Sequence, residues 1–311
     1  MTTYYTNIAP PTGDLRLSKM ITQEIQLLLR DVSNLRNSPF LTYYGSVNGL
    51  GSTVMSVRKA GLDGYDSMAG IAENATGSDT AVTNDSADLT VARQYLAYEI
   101  SDLAVMTGYG SGDIDPFRLA RSIAASYETR FSEMQSDAAS LLTNNVGSSA
   151  VNMSVDLFFD AIFDLETAAS NVGVEGAFAC VLHPAQLVQL QDSLRNETSN
   201  SVSMMQATEQ MLEAKGRGYV GRLFGVDIYR SSHVNTAASA YEGYMITPNC
   251  LGYIDGIPAS LPQAVDFMQM GKVLIEMERT ATKALTRVVG HAYLGIGVVD
   301  DDRGVVIKSS T

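Results

Sequence analysis

The chain has 311 residues, with 34 acidic and 21 basic side chains and a formal net charge of -13 at pH 7. Its length suits about two average domains, and its acidity argues against direct readout of nucleic acid, which depends on Lys and Arg displacing phosphate counterions. Charged residues make up 18% of the chain, against ~25% in typical soluble domains, and a surface poor in charge is often one that meets another protein.

The first predicted element is an amphipathic helix over residues 15–36, after an irregular arm. Its apolar residues recur three or four positions apart and therefore share one helical face. These residues are Leu17, Ile21, Ile25, Leu28, Val32 and Leu35. Pro39 stops the helix, because a residue that precedes proline is disfavoured in the α conformation. No secretion signal and no stretch near the ~20 apolar residues of a membrane span is present, so we expect a cytoplasmic product without membrane contact.

A long β-hairpin is predicted next, with arms at residues 52–59 and 89–100. Between the arms, residues 61–88 contain six carboxylates, four glycines and no Lys or Arg. A loop beyond ~12–15 residues without structure of its own is uncommon inside a compact domain unless it has a function. We therefore expect this acidic segment to pack on a different subunit.

The clearest element is a long helix over residues 115–143, with Asp115 as its N-cap and Pro116 in the first helical position. Apolar or small residues form one stripe along it, and charged residues lie opposite. The stripe contains Ala120, Ala124, Tyr127, Phe131, Met134, Ala138 and Leu141, and the opposite side contains Arg118, Arg121, Glu128 and Arg130. One stripe predicts a helix that lies along a flat partner and shows its other side to solvent. A coiled coil has the same period and is the alternative.

A polar linker over residues 144–152 separates this helix from a compact α/β region. A helix that begins at Ser154, a buried strand over residues 177–182 and a further helix over residues 185–194 alternate there, which is typical of an α/β domain. His183 precedes the second of these helices and is expected to cap it.

The C-terminal part of the chain is predicted to form a β-sheet. Its strands are expected at residues 272–279, 285–299 and 305–308, with the last two joined by a turn. This sheet is the flat partner that the long helix requires. The α/β region is then an insertion between the long helix and its sheet.

No constellation typical of catalysis or metal binding is present. The sequence contains no phosphate-binding loop, no G-x-S-x-G elbow and no histidine pair with metal-ligand spacing. The run Asp300-Asp301-Asp302 is expected to form a solvated turn rather than a cation site, and Gly295 and Gly297 to mark a close backbone approach. We predict no catalytic residue, no metal and no cofactor. A soluble enzyme is the alternative from another functional class.

Cys180 and Cys250 are too few for a disulfide framework and form no C-x-x-C pair. Both are predicted to be small buried side chains.

The order of these elements resembles that of the tailed-bacteriophage major capsid proteins, which have the Hong Kong 97-type fold. The shared order is an N-terminal arm, an extended hairpin, a long helix that begins with an acidic residue and proline, an inserted α/β domain and a closing sheet. Three stretches add to the resemblance: residues 178–184 (FACVLHP) with the following helix, 223–234 (LFGVDIYRSSHV) and 244–253 (YMITPNCLGY). The resemblance covers nearly the whole chain.

The resemblance implies an α+β fold of four parts. These are an N-terminal arm (1–44), an extended loop (45–98), a peripheral domain (99–150 and 264–311, with the spine helix at 115–143) and an inserted axial α/β domain (151–263). It implies a structural subunit that assembles through pentamers and hexamers into the icosahedral head around phage double-stranded DNA. The expected location is the virion, after assembly in the host cytoplasm.

The resemblance also implies partners. These are further copies of the same chain, a separate scaffolding protein, a portal protein and, in some heads, a decoration protein. Contact with packaged DNA is expected to be weak and non-specific.

Intersubunit contacts are expected at the extended loop and on the outer side of the spine helix, because the loop carboxylates need Arg or Lys from a neighbour. The candidates are Val54, Met55, Arg58, Lys59, Asp63, Asp66 and Glu73 in the loop and Arg118, Arg121 and Arg130 on the helix. Lys59 is the only lysine of the loop and lies near its base, which argues against the covalent cross-link that some relatives form there.

Two rival interpretations share part of this pattern. An encapsulin-type nanocompartment has the same fold and would differ by its cargo enzyme. A surface-layer protein or adhesin would also be acidic and β-rich, but it should carry a secretion signal.

Overall fold

The structure is a computed structural model that describes residues 40–59, 86–102, 116–168, 178–196, 205–206, 218–256, 267–270 and 273–311. The helices in these ranges are α1 Pro116–Ala139, α2 Val155–Thr167 and α3 Pro184–Asn196. The strands are β1 Leu41–Ser46, β2 Val54–Arg58, β3 Ser86–Thr90, β4 Ala92–Ser101, β5 Asn145–Gly147, β6 Ala179–Leu182, β7 Met205–Gln206, β8 Tyr219–Leu223, β9 Val226–Arg230, β10 Thr236–Ala237, β11 Ala240–Ile246, β12 Leu251–Asp255, β13 Phe267–Met270, β14 Val273–Thr280, β15 Leu285–Val298 and β16 Gly304–Ser310.

Two large sheets and one small hairpin contain these strands. In the described ranges, the first sheet has the order β1-β12-β15-β14-β13, with β4 also paired to β15. The second sheet has the order β5-β16-β11-β6-β9-β8-β7, with β10 on β11, and β2 pairs with β3 apart from both. The chain passes between the two sheets several times, so neither sheet comes from one continuous segment.

Helix α1 packs on the first sheet through its apolar face. Ile123 lies so close to Gly290 of β15 that an added Cβ atom there would come within 3.0 Å of it. Phe131 meets Tyr253 of β12 edge-on, and Tyr127 is buried beside them in the same core. The predicted packing of the long helix on a C-terminal sheet is confirmed for β15. Because Tyr127 and Phe131 of the stripe are already buried in this core, they are not free to form a coiled coil.

The opposite side of α1 is also partly buried, which differs from the prediction. Glu128, Ser132, Gln135 and Ser136 are all buried, and the Ser136 hydroxyl accepts a 2.8 Å hydrogen bond from the backbone N–H of Asn235. The short serine side chains let the second sheet come close, so α1 lies between the two sheets. The prediction that Glu128 faces solvent is therefore wrong.

The last turn of the predicted long helix is not helical. α1 ends at Ala139, so Leu141 is 74% exposed and Leu142 takes the buried position instead. The backbone N–H and the hydroxyl of Thr143 donate hydrogen bonds to the carboxylate of Asp301. This contact ties the end of the helix to the turn that precedes β16.

The second sheet is covered on both faces. In β16, Val305 and Ile307 share a core with α2 and α3, whereas Val306 shares the other core with α1. Consecutive apolar residues suit a strand buried on both sides. For this reason β16 pairs with β11 over its whole length and not with β15, and the prediction that residues 305–308 close the same sheet as 285–299 is wrong. The boundaries expected for the four parts of the chain stay predictions. The amphipathic helix predicted over residues 15–36 lies outside the described residues.

Helices α2 and α3 begin at the caps that the sequence indicates. The Ser154 hydroxyl accepts a 3.2 Å hydrogen bond from the N–H of Leu157, which satisfies one free donor of the first turn. At α3, Nδ1 of His183 accepts a 3.2 Å bond from the N–H of Ala185, and Tyr241 stacks on the imidazole with ring centroids 3.9 Å apart. Burial lowers the pKa of His183, which favours the neutral ring that can accept this bond. The predicted capping role is confirmed.

The predicted hairpin is correct in its first arm and wrong in its second. β2 and β3 pair antiparallel, from Val54 opposite Thr90 to Arg58 opposite Ser86. The chain leaves the hairpin at Val91, and β4 pairs with β15 in the first sheet. The single strand predicted over residues 89–100 is therefore two strands in different sheets.

Glycines in β15 make room for this crossing. An added Cβ atom at Gly295 would lie 2.1 Å from the carbonyl oxygen of Thr90, and one at Gly297 would lie 2.8 Å from the side chain of Leu89. A side chain at Gly295 would overlap backbone, so the two segments would have to move apart, whereas the end of the Leu89 side chain could shift away from Gly297. The predicted close backbone approach is therefore confirmed for Gly295.

The run Asp300-Asp301-Asp302 is only partly the solvated turn that was predicted, because Asp302 is exposed and Asp301 half-buried whereas Asp300 is buried. Asp300 and Arg303 are 3% and 5% exposed, and Nε of Arg303 donates a 2.9 Å hydrogen bond to Asp300. The chain crosses here from the first sheet to the second, and the N–H of Asp300 donates to the carbonyl of Cys250. The crossing lies inside the junction between the sheets, which explains why Asp300 is buried and paired with Arg303.

Both cysteines are buried and unlinked, as predicted. Burial raises the pKa of the Cys180 and Cys250 thiols, so both stay protonated near neutral pH.

Candidate intersubunit surface

Four candidates lie at the base of the extended loop, on β2 or just after it. Val54 and Arg58 are exposed on one face of β2, whereas Met55 is half-buried and packs with Val57 on a small core. Lys59 follows the strand and is half-buried. One face of the hairpin is thus fixed to its own subunit, and Val54 and Arg58 lie on the face that stays accessible.

The two ends of the acidic segment are held side by side. Arg58 at the end of β2 pairs with Ser86 at the start of β3, so residues 60–85 leave and re-enter the body at one point. Asp63, Asp66 and Glu73 lie outside the described residues. Their role as contacts stays a prediction.

On α1, the three arginine candidates differ in what is described. Arg118 and Arg121 belong to α1, but their side chains lie outside what the structure describes, and their role stays a prediction. Arg130 is 45% exposed and lies 3.1 Å from Glu133. Its Nε also donates a 3.0 Å hydrogen bond to Gln94 on β4. Arg130 therefore has partners in its own chain, and a neighbour's carboxylate would have to compete with them.

A groove of about 580 Å³ lies between α1 and β4. The helix packs on β15 and β12, and only side chains such as Arg130 and Ser122 reach across to β4. The buried lining consists of Ile123, Tyr127, Gly290, His291, Ala292 and Leu294, and the more exposed lining includes Ser122, Ala125, Ser126, Thr129 and Glu133. The sequence analysis missed this groove, although the small residues along one side of α1 were a signal for it.

Strand β4 has one open edge. In the ranges that the structure describes, β4 pairs with β15 alone. The guanidinium carbons of Arg93 and Arg287 lie 5.4 and 5.8 Å from the ring centroid of Tyr95, which is half-exposed on this strand. Charged side chains on an edge strand oppose non-specific pairing with other strands.

An exposed aromatic patch lies on α2 and on the turn between β8 and β9. Phe159 and Phe163, four residues apart on α2, are 44% and 65% exposed, and the Phe159 ring lies 4.4 Å from that of Phe224. Asp160 and Asp164 lie beside them on the exposed side of α2. The sequence analysis missed this patch, because it followed only the buried face of the helix.

The described residues contain no group of three or more His, Cys, Asp or Glu side chains placed to hold a metal ion. Of the helices described, none is long and apolar enough to span a membrane.

Tyr43, at the edge of the first sheet, has a raised pKa. Tyr43 donates a 2.7 Å hydrogen bond to Asp255 on β12. Burial, followed by this bond, raises its pKa to about 12. A phenol held in its neutral form in this way serves to join β1 to β12.

Comparison with known proteins finds likeness in structure. No protein-family model and no curated protein sequence matches the chain. The capsid of Ralstonia phage GP4 aligns over 91% of this chain and 90% of its own, with a TM-score of 0.61 and 13% identity. The capsid of the Myoviridae phage XM1 aligns over 89% and 92%, with a TM-score of 0.58 and 12% identity. The SrpI encapsulin of Synechococcus elongatus aligns over 89% and 88%, with a TM-score of 0.59 and 12% identity.

These alignments cover about nine-tenths of this chain and of each shell protein. The chain therefore has the Hong Kong 97-type capsid fold, as its resemblance to tailed-phage major capsid proteins implied.

Proposed function

We propose that the chain is the major capsid protein of a tailed bacteriophage, a structural subunit that assembles through pentamers and hexamers into the icosahedral head around the phage DNA. The observation that carries this proposal is the fold, which matches phage capsids along about nine-tenths of both chains. A match of that extent leaves little of the chain for a separate catalytic domain. The role we propose is therefore structural and located in the virion.

Three surfaces support assembly with further copies. The acidic segment emerges from one point beside the accessible face of β2. The Phe159, Phe163 and Phe224 patch exposes aromatic surface next to carboxylates, and clustered exposed apolar surface is typical of interaction sites. The edge of β4 that no described strand covers adds backbone groups that a matched strand of a neighbour can pair with, while Arg93 opposes non-specific pairing there.

We further propose a separate scaffolding protein and a portal protein as partners, with a decoration protein in some heads. Packaged DNA would meet a chain of net charge -13, so its contact with the shell would be weak and non-specific.

An encapsulin-type shell is the second candidate, because the SrpI encapsulin aligns about as well as the phage capsids do. The two functions differ in contents. A phage head requires a scaffold and packages DNA, whereas an encapsulin forms around a cargo protein.

The test is assembly of the expressed chain, followed by sedimentation and electron microscopy. We expect closed shells or ring capsomers, with regular shells depending on co-expression of the scaffold encoded nearby. A chain that stays monomeric in every condition, with and without the scaffold, would overturn the proposal. Shells that form unaided and enclose a co-expressed enzyme would favour the encapsulin function.

A loop variant separates assembly from folding. Replacing residues 60–85 by a Gly-Asn turn keeps β2 and β3 paired and removes most of the acidic segment. Loop closure depends weakly on length, so the variant should keep a cooperative melt and lose stable shells. Phe163→Ser should act in the same way if the aromatic patch is a contact, whereas Leu141→Ser, which changes an exposed residue at the end of α1, is the matched control.

A further inference from the structure

A small cavity lies where α1 packs on the second sheet. On the sheet side, Tyr244, Val181 and Tyr229 stand directly opposite one another on β11, β6 and β9, and all three line the cavity. Because valine is smaller than tyrosine, this row has a depression at Val181. On the helix side, Ser132 and Gln135 line the same cavity, and the short serine side chain does not fill the depression.

Gln135 brings a buried amide to this cavity. The residue is 3% exposed, and its Nε2 atom has no hydrogen-bond partner among the residues that the structure describes. A buried donor without a partner is destabilising, because it has given up its hydrogen bonds to solvent. A ligand that accepts a hydrogen bond from this amide is therefore favoured in the cavity.

The size and the lining of the cavity suit a water molecule. Its volume is about 10 Å³, which is at the lower limit for one water and too small for a larger ligand. A buried water typically makes about three hydrogen bonds, and Ser132, Ser231 and Tyr244 add hydroxyl-bearing side chains to the lining. Burial raises the pKa of Tyr244, so its phenol stays neutral and can donate or accept a hydrogen bond.

We infer that this cavity binds one ordered water, which accepts a hydrogen bond from Nε2 of Gln135 and joins α1 to the second sheet. At the next position of α1, Ser136 makes a direct bond to the N–H of Asn235. The contact between α1 and the second sheet is thus made of direct and water-mediated hydrogen bonds side by side. This inference does not depend on whether the chain forms shells.

The first test is a density map of the full-length protein at a resolution that shows buried waters. We expect one water ~2.7–3.2 Å from the amide of Gln135. Gln186 is the internal control, because it is also buried and its Nε2 donates to the backbone carbonyls of Tyr241 and Ile307. No water should lie beside that amide. A map that shows other buried waters and none at Gln135 would overturn the inference.

A second test compares Gln135→Met with Gln186→Met in urea melts. Methionine is a flexible apolar side chain without the amide. Gln135→Met removes the amide and the need for the water together, so the midpoint should change little. Gln186→Met should lower the midpoint clearly, since two buried carbonyls lose their donor.

Two results of the melts would contradict the water site. A clear rise in the midpoint with Gln135→Met would show that the amide is buried without any partner. A fall as large as that of Gln186→Met would show that the amide binds a protein group directly.

Discussion

The ring of Phe131 on α1 stands edge-on to the ring of Tyr253 on β12, with centroids 6.0 Å apart and planes at 80°. Such a pair adds ~0.5–1.5 kcal/mol to the gain from burial. It joins the long helix to the first sheet at the point where β12 and β15 meet.

Phe131→Ala should therefore lower the free energy of unfolding by ~3–5 kcal/mol, since it leaves a cavity in the core between α1 and the first sheet. Leu141→Ala is the control, because the sequence places Leu141 in the same stripe and the structure leaves it exposed. Its cost should stay within ~0.5 kcal/mol. Denaturant melts check both variants, and equal losses would show that the buried face has been misassigned.

His183 should make stability depend on pH. Its pKa is lowered in the folded state from an ordinary value of 6.5, so the unfolded chain binds the proton first as pH falls. The contribution of His183 to stability is fully present above pH 6.5 and is lost as the pH falls through the lowered pKa. The physical reason is burial, which disfavours the charged imidazole. A protonated Nδ1 also cannot accept the hydrogen bond from Ala185.

His183→Asn checks this dependence. Asparagine is a good N-cap and does not titrate, so the variant should match the parent near neutral pH and lose less stability between about pH 7 and pH 5. Urea melts across that range give the difference. If the stability of both proteins falls equally with pH, a group other than His183 causes the pH dependence.

The buried pair of Asp300 and Arg303 should be costly to break from one side. Asp300→Asn removes the carboxylate that faces a buried guanidinium, and breaking a buried ion pair from one side costs ~3–5 kcal/mol. The double variant Asp300→Asn with Arg303→Met should recover part of it in thermal melts. Asp192→Asn is the control, because the Asp192–Arg195 pair is exposed and pairs of that kind contribute ~0.2–1 kcal/mol. A double variant no more stable than the single one would show that the charge is not the cause.

Gly295→Ala should disturb the crossing of the chain from β3 to β4. Its methyl group would overlap the carbonyl of Thr90, and overpacking typically costs ~1–3 kcal/mol or more. Gly225→Asn is the control, since that glycine has open space around it and a positive φ that asparagine tolerates. Wild-type stability for Gly295→Ala would mean that the two backbones can move apart.

The sequence predicted those features that a local pattern specifies. The caps of α2 and α3, the start of α1 at Pro116 and the close approach at Gly295 follow from residue type and spacing alone. The burial of Glu128 does not, because it depends on a second sheet whose approach to α1 no local pattern records. The sheet that β16 joins could not be predicted for the same reason. Its residues indicate a strand, but the packing of both its faces against other elements decides which sheet it joins.

The candidate site shows a similar division. The sequence indicates an acidic loop and a striped helix, whereas the groove beside β4 and the aromatic patch on α2 arise from residues far apart in the chain. Arg130 was expected to bind a neighbour's carboxylate. Its hydrogen bond to Gln94 could not be predicted, because no local pattern shows that β4 runs beside α1.

The path of the chain through the hairpin has a mechanical consequence. β1 before the hairpin and β4 after it both belong to the first sheet, so tension on residues 60–85 reaches that sheet from both ends. The five β2–β3 pairs would open one at a time, like a zipper, under such a pull. The longer β4–β15 ladder would instead be loaded along its length, so that its hydrogen bonds share the force. The short β2–β3 hairpin would therefore open first under tension on residues 60–85, while the first sheet keeps its shape.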